Sequence, residues 1–396
     1  MTSADCALCG SQITALNDSE EHVIANALGG RLKVRSFLCA PCNSSTGHRW
    51  DAELASQLQV LCLLVGGDRE RGQTSPLVVT TTTGQALRIT PDQGLSLAHP
   101  SYKAEKTENG LRISFVARTM AEARQRLREL KAKYPTIDLE AAEAQVRSSW
   151  AWPEGLMNHS FQIGGPAASR ALVKSVAAFA FHSGLPANAF ADAIAYLRRA
   201  EEPPPLGWYY ATDPLGGRLE GTPVTCVGVH ANPRTGMVLG YAEYFGIHRA
   251  VVALGDGYTG AEVRAVHGFD PRTGAVLPVT IDLPFDADEL QAIFRYERIP
   301  AGVIEGACEP ILLGALRRQA EAEPRRVIGE AFDHALATCG LAPDQEISAE
   351  AVHQIAALAT DYLTPWLLHH LSRGRPLGRP PAPAMRADPD GLGRTD

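Results

Sequence analysis

Apolar positions change their spacing several times along the chain, and each change marks an element. From Asn43 through Leu61, the residues Trp50, Leu54, Leu58 and Leu61 recur at helical spacing, and Gly66-Gly67 stops that helix. A polar stretch from Asp68 to Ser75 reads as a linker. Residues 76–118 then alternate apolar and polar side chains in strand fashion. Thr119, followed three residues later by Glu122, opens a helix that runs to about Tyr134. Ala-rich helices are expected near 166–182 and 187–200, and the Pro-rich run Glu201 to Gly207 breaks the chain after them. Residues 207–283 read as hairpins, with the near-copy turns Asn232-Pro-Arg-Thr-Gly236 and Asp270-Pro-Arg-Thr-Gly274 between strands. Helices return from Asp286 to Leu371.

These elements predict an α+β protein. The expected division is an N-terminal domain over 1–65, an α+β middle domain over 76–200, a C-terminal domain of β-hairpins and helices over 207–371, and a disordered Gly/Pro/Arg-rich tail over 372–396. Composition changes this picture little: 45% of the 396 residues are apolar and 20% charged, which excludes wholesale disorder. A net charge of -7 excludes a globally basic nucleic-acid coat, so any phosphate binding must come from local patches. The most apolar run, Leu58 to Val65, is too short to span a bilayer. The first residues carry neither a basic nor an apolar leader segment, and a cytoplasmic protein with no membrane contact is the expectation.

The cysteines bring in chemistry. Cys6, Cys9, Cys39 and Cys42 form two Cys-x-x-Cys pairs, whereas Cys62, Cys226, Cys308 and Cys339 are scattered singles. Two such knuckles present four thiolates to one tetrahedral zinc, and a closed four-thiolate site has no open position for substrate. This zinc is expected to be structural. Between the knuckles lies Ser19-Glu-Glu-His-Val-Ile-Ala-Asn-Ala-Leu-Gly-Gly30, and Asn43 follows the second knuckle at the start of the helix. A carboxylate oxygen and an amide oxygen are hard ligands suited to Mg²⁺. An adjacent His can take a proton from a water attacking phosphorus.

Residues 6–51 resemble an HNH (ββα-metal) endonuclease of the four-cysteine branch, through Cys-x-x-Cys, Glu21-His22, and Cys-x-x-Cys-Asn43. The resemblance implies a zinc-stapled ββα-metal domain in front of a larger mixed α and β body. It implies a metal-dependent endonuclease acting on nucleic acid, DNA ahead of RNA. Glu21 and Asn43 would hold the catalytic Mg²⁺ or Mn²⁺, His22 would be the general base, and Cys6, Cys9, Cys39 and Cys42 would hold the structural zinc. The Asn that orients the His in the family has no counterpart in residues 33–38, which leaves Asn26 or a backbone carbonyl for that role.

Arg31, Lys33 and Arg35 alternate, so on a strand they line one face and form the candidate nucleic-acid contact; a solvated strand face is the alternative. Asp51, eight residues past Asn43, reads as salt-bridged or solvated. Gly255-Asp-Gly-Tyr-Thr-Gly260 matches a dinucleotide-binding glycine pattern, but no helix follows it, and a hairpin turn is expected instead. The body is expected to bind substrate, a protein partner or a second copy of the chain. A non-catalytic zinc module that binds nucleic acid or protein is the alternative function.

Overall fold

Turn residues keep residues 5–39 nearly free of regular structure, and what forms there is short. In the computed structural model, β1 (Glu21–His22) pairs antiparallel with β2 (Lys33–Val34), with Glu21 opposite Val34 and His22 opposite Lys33. A helical rod follows: α1 (Ala40–Thr46), a wider π-type turn (Gly47–Asp51) and α2 (Ala52–Gln57). After a break at Leu58, α3 (Gln59–Val65) ends at Gly66, close to where the apolar spacing stops. The strand connection turns tightly at Gly30, where a Cβ would lie 1.8 Å from the Ile24 carbonyl oxygen, so no other residue fits.

The structure describes residues 5–72, 74–91, 94–108, 110–146, 153–158, 163–199, 203–219, 221–297, 299, 301–340 and 348–372. The tail expected to be disordered lies, apart from Ser372, outside them. The chain forms two compact units, Met1–Leu139 with Pro153–Ala315, and Glu140–Trp152 with Leu316–Asp396.

In the first unit, a six-stranded antiparallel sheet runs in the order Val276–Leu277, Val263–Phe269, Thr225–Asn232, Met237–Tyr244, His248–Gly255 and Leu206–Trp208. Its central strands are buried on both faces, and strand alternation sorts their side chains: Val238, Ala242 and Tyr244 enter one core, Leu239 and Tyr241 the other. The second core is closed by the helix Ala287–Phe294 through Leu290 and Ile293. Over the first lies the helix Gly165–His182, apolar almost all round and buried from Ala168 to Ala180. It sits so close to the sheet that a Cβ on Gly240 would lie 2.0 Å from Val176 Cγ1. The N-terminal domain joins this same core through Phe37, Leu54, Leu58 and Leu61. Phe37 and Phe181 meet as tilted rings with centroids 5.6 Å apart, and Gln57 exchanges two 2.9 Å hydrogen bonds with the Gly164 backbone. No helix follows the Gly255–Gly260 segment, but it is not the expected hairpin turn either: it joins His248–Gly255 to Val263–Phe269, which lie apart in the sheet with Met237–Tyr244 and Thr225–Asn232 between them.

Residues 76–118 supply Leu95–Leu97, Ala86–Ile89 and Leu77–Thr81 to a small sheet that Met157–Asn158 completes, and they form the hairpin of Ser101–Thr107 and Gly110–Val116. The helix Met120–Lys133 starts where its cap predicts, the Thr119 hydroxyl accepting from the Glu122 amide at 3.1 Å. In the second unit, the later turns of the helix Val303–Cys339 pack on the helix Ala349–Ser372 through Ala331, Ala335, Ile355 and Ala359. The molecule is α+β, as its patterning predicts. Among the described residues no helix is long and apolar enough to cross a membrane.

Candidate active site and metal centre

Each Cys-x-x-Cys bends back on itself. The Gly10 amide donates to the Cys6 carbonyl at 2.9 Å, and the Asn43 amide to the Cys39 carbonyl at 2.9 Å. The Cys39 amide also donates to Cys6 Sγ at 3.4 Å, which ties one knuckle to the other. All four sulfurs lie within 4.8 Å of one another, and Cys9 and Cys39 stand 3.7 Å apart. A tetrahedron of Zn–S bonds about 2.3 Å long has edges of about 3.8 Å, so the four sulfurs stand near the spacing that one zinc requires. Ser11 pulls the exposed Cys9 thiol down to about 6, while burial pushes the Cys39 and Cys42 thiols up.

The knuckles fix what lies between them. Around the zinc-binding end, the Ala40 amide donates to the Asn17 carbonyl at 2.7 Å and the Ser19 hydroxyl to the Leu38 carbonyl at 2.8 Å, so the approach to β1 is held to the start of α1. On α1, the Asn43 side chain reaches the residue just before β1: its Nδ2 donates to the Glu20 carbonyl at 3.3 Å, which leaves the acceptor Oδ1 outside that bond. Residues 6–59 match the family model of the HNH endonuclease. The match spans the knuckles, the strand pair and the first helices, and leaves the rest of the chain unassigned. No curated protein and no solved structure matches the chain.

Within the HNH domain, successive strand positions send Glu21 and His22 to different surroundings. Glu21 is 1% exposed and its Oε1 accepts from Lys174 Nζ, which comes from the helix Gly165–His182. Lys174, also 1% exposed, donates to Asp51 Oδ2 at 2.7 Å as well. The π-type turn Gly47–Asp51 carries Asp51 into this contact; such turns widen a helix by one residue and re-aim what they carry. Burial alone would discharge the Lys174 ammonium, but Asp51 and Glu21 together outweigh it and hold its pKa above that of a free lysine. Burial pushes the Glu21 carboxyl up, and Lys174 opposes that push. Among the described residues, Glu21 Oε2 has no hydrogen-bond partner.

His22 faces outward, and its Nε2 lies 3.3 Å from Glu70 Oε2. Lys33 Nζ donates to Glu70 Oε1 at 3.1 Å, Arg31 to Asp68 Oδ2 at 2.8 Å, and Arg35 to Glu20 Oε1 at 2.7 Å. Lys33 and then His22 hold the Glu70 carboxyl below the usual carboxylate range. Asn26, one candidate for orienting His22, bonds the Arg71 backbone instead. The stretch from Asp68, polar enough to read as a linker, therefore lies against the domain.

Lys174 and Glu70 are absent from any motif reading. One signal for Lys174 was present: a lone charge in the run Ala171-Leu-Val-Lys174-Ser-Val-Ala-Ala, where a wholly apolar helix has no solvated face for it.

The zinc fit carries a direct expectation. Purified protein should hold one zinc, and Cys39→Ser should lose it and open residues 6–65 to trypsin, because metal binding and folding are coupled in so small a unit. Zinc analysis of chelator-free protein checks this, and an intact N-terminal segment in the zinc-free variant would refute it.

Proposed function

We propose that this protein is a metal-dependent HNH endonuclease that hydrolyses phosphodiester bonds of nucleic acid, DNA ahead of RNA. The observation that carries the reading is the placement of Glu21-His22 and Asn43 on the strand and helix that the two knuckles hold together, within a segment matching the HNH family.

The donor set suits a hard divalent ion. Glu21 is anchored through one carboxylate oxygen and Asn43 through its amide nitrogen, so each keeps one oxygen for Mg²⁺ or Mn²⁺. Bound there, such an ion would offset charge on the phosphate and on the leaving oxygen. His22, a quarter exposed, accepts the proton of the attacking water through a ring nitrogen. Arg31, Lys33 and Arg35 receive the phosphates on either side of the cut. Lys174 opposes the burial that raises the Glu21 pKa and fixes the carboxylate's direction, with Asp51 as its anchor; ligating carboxylates are commonly held by such outer partners. The zinc, closed by four sulfurs, takes no part in the chemistry.

Incubating the full chain with plasmid, single-stranded DNA and RNA, each with Mg²⁺ or EDTA, tests the proposal. Cleavage that EDTA abolishes is expected. Tight nucleic-acid binding without cleavage of any substrate would favour the non-catalytic zinc module.

A further inference from the structure

Three of the residues that the proposed chemistry needs free are already occupied, and by one short segment. Glu70 contacts both His22 and Lys33, and Asp68 contacts Arg31. The backbone on either side is pinned. The Asp68 amide donates to the Pro271 carbonyl at 2.8 Å, and Asn26 exchanges two hydrogen bonds with the Arg71 backbone, at 3.1 and 3.3 Å. The carboxylates themselves are held only loosely: Glu70 and Asp68 keep 34% and 54% of their side-chain surface in solvent, and ion pairs this exposed are weak. The segment thus keeps two acidic groups beside a basic face without locking them to it.

We propose that Asp68 and Glu70 form a built-in acidic strap that occupies the phosphate-binding face of the HNH domain and gives way to the sugar-phosphate backbone of nucleic acid. This rests on the nuclease reading and adds its regulation. A carboxylate on Lys33 and one on Arg31 take the positions that two phosphates would take, and the Glu70 carboxylate also covers a ring nitrogen of the base. A polyphosphate displaces them because each phosphate contact releases condensed counterions, a gain that an internal carboxylate lacks. Isolated small anions have no such advantage and leave the strap in place. The strap therefore raises the threshold for binding, and it favours long nucleic acid over mononucleotides.

The test measures binding of a fluorescein-labelled DNA duplex to the full chain in EDTA, so that cleavage does not enter. The variants are Asp68→Asn with Glu70→Gln, Arg31→Gln with Lys33→Gln, and all four together. Glu105→Gln removes one acid from the exposed strand Ser101–Thr107 and gauges what one unit of net charge does by itself. The strap variant is expected to bind about 3- to 30-fold more tightly than wild type, on the scale of two or three exposed ion pairs. Glu105→Gln should change nothing. In the Arg31→Gln, Lys33→Gln background the gain should disappear, since its partners are gone. Equal affinity of wild type and the strap variant, with binding still dependent on Arg31 and Lys33, overturns the strap alone. Binding indifferent to Arg31 and Lys33 removes the nucleic-acid face itself. A Glu70→Gln variant that turns over more slowly at saturating substrate, with unchanged affinity, would make Glu70 a positioning partner of His22 and also overturn the strap.

Discussion

Replacing His22 with Ala is expected to lower DNA turnover by about 10²- to 10⁴-fold while zinc content and folding stay as in the wild type. The expectation follows from position. His22 is outward-facing on a two-residue strand, and its side chain meets the exposed Glu70, so truncation opens no cavity in the core. Glu21→Ala and Asn43→Ala should lose activity for another reason, weakened metal affinity, and excess Mg²⁺ or Mn²⁺ should restore part of it. Excess metal should not restore His22→Ala, because extra metal does not replace a proton acceptor. The measurement is the initial cleavage rate across a metal titration, with zinc analysis on each variant. Wild-type rates from a folded, zinc-loaded His22→Ala protein would end the nuclease reading.

Lys174→Met should cost about 3–5 kcal/mol of local stability, because it strands the buried Glu21 carboxylate and its neighbour Asp51 without their shared cation. The loss should appear as reduced hydrogen-exchange protection in β1 and in the helix Gly165–His182, a local readout that does not require the whole chain to unfold as one. Replacing all three together, Glu21→Gln, Asp51→Asn and Lys174→Met, should return most of the protection, since no uncompensated charge then remains buried. That triple variant should be stable and inactive. If Lys174→Met alone were as protected as wild type, the triad would carry no such energy.

What could be read from the sequence was what local spacing controls. Cys6-x-x-Cys9 and Cys39-x-x-Cys42 each bring two sulfurs together within one turn, so the four-sulfur cluster could be read without a fold. The start of Met120–Lys133 was legible because Thr119 and Glu122 meet through one turn of backbone. The helix Gly165–His182 was legible from its composition, and the hairpin turns from their Asn or Asp, Pro and Gly. The missing part depends on separation. Lys174 lies 153 residues from Glu21 and 123 from Asp51, and only the packing of helix on sheet brings them together. Asp51 stood undecided between a salt bridge and solvent for the same reason. The segment Asp68 to Ser75 reads as a linker because every feature of it is polar, and polarity alone does not say that Asp68 and Glu70 have basic partners 37 residues upstream.

The shared core also bears on how such a domain can be reused. A ββα fold of some sixty residues invites grafting, as a cutting cassette fused to whatever DNA-binding module an engineer chooses. This one is built against that use. Severed after Val65, it would bare the faces of Phe37, Leu54 and Leu61 that now lie against the rest of the core, and Glu21 would lose its ammonium. A transferable unit would need the four-cysteine segment together with the helix Gly165–His182 and the sheet beneath it, so the proposed cutting chemistry would travel only with its chassis.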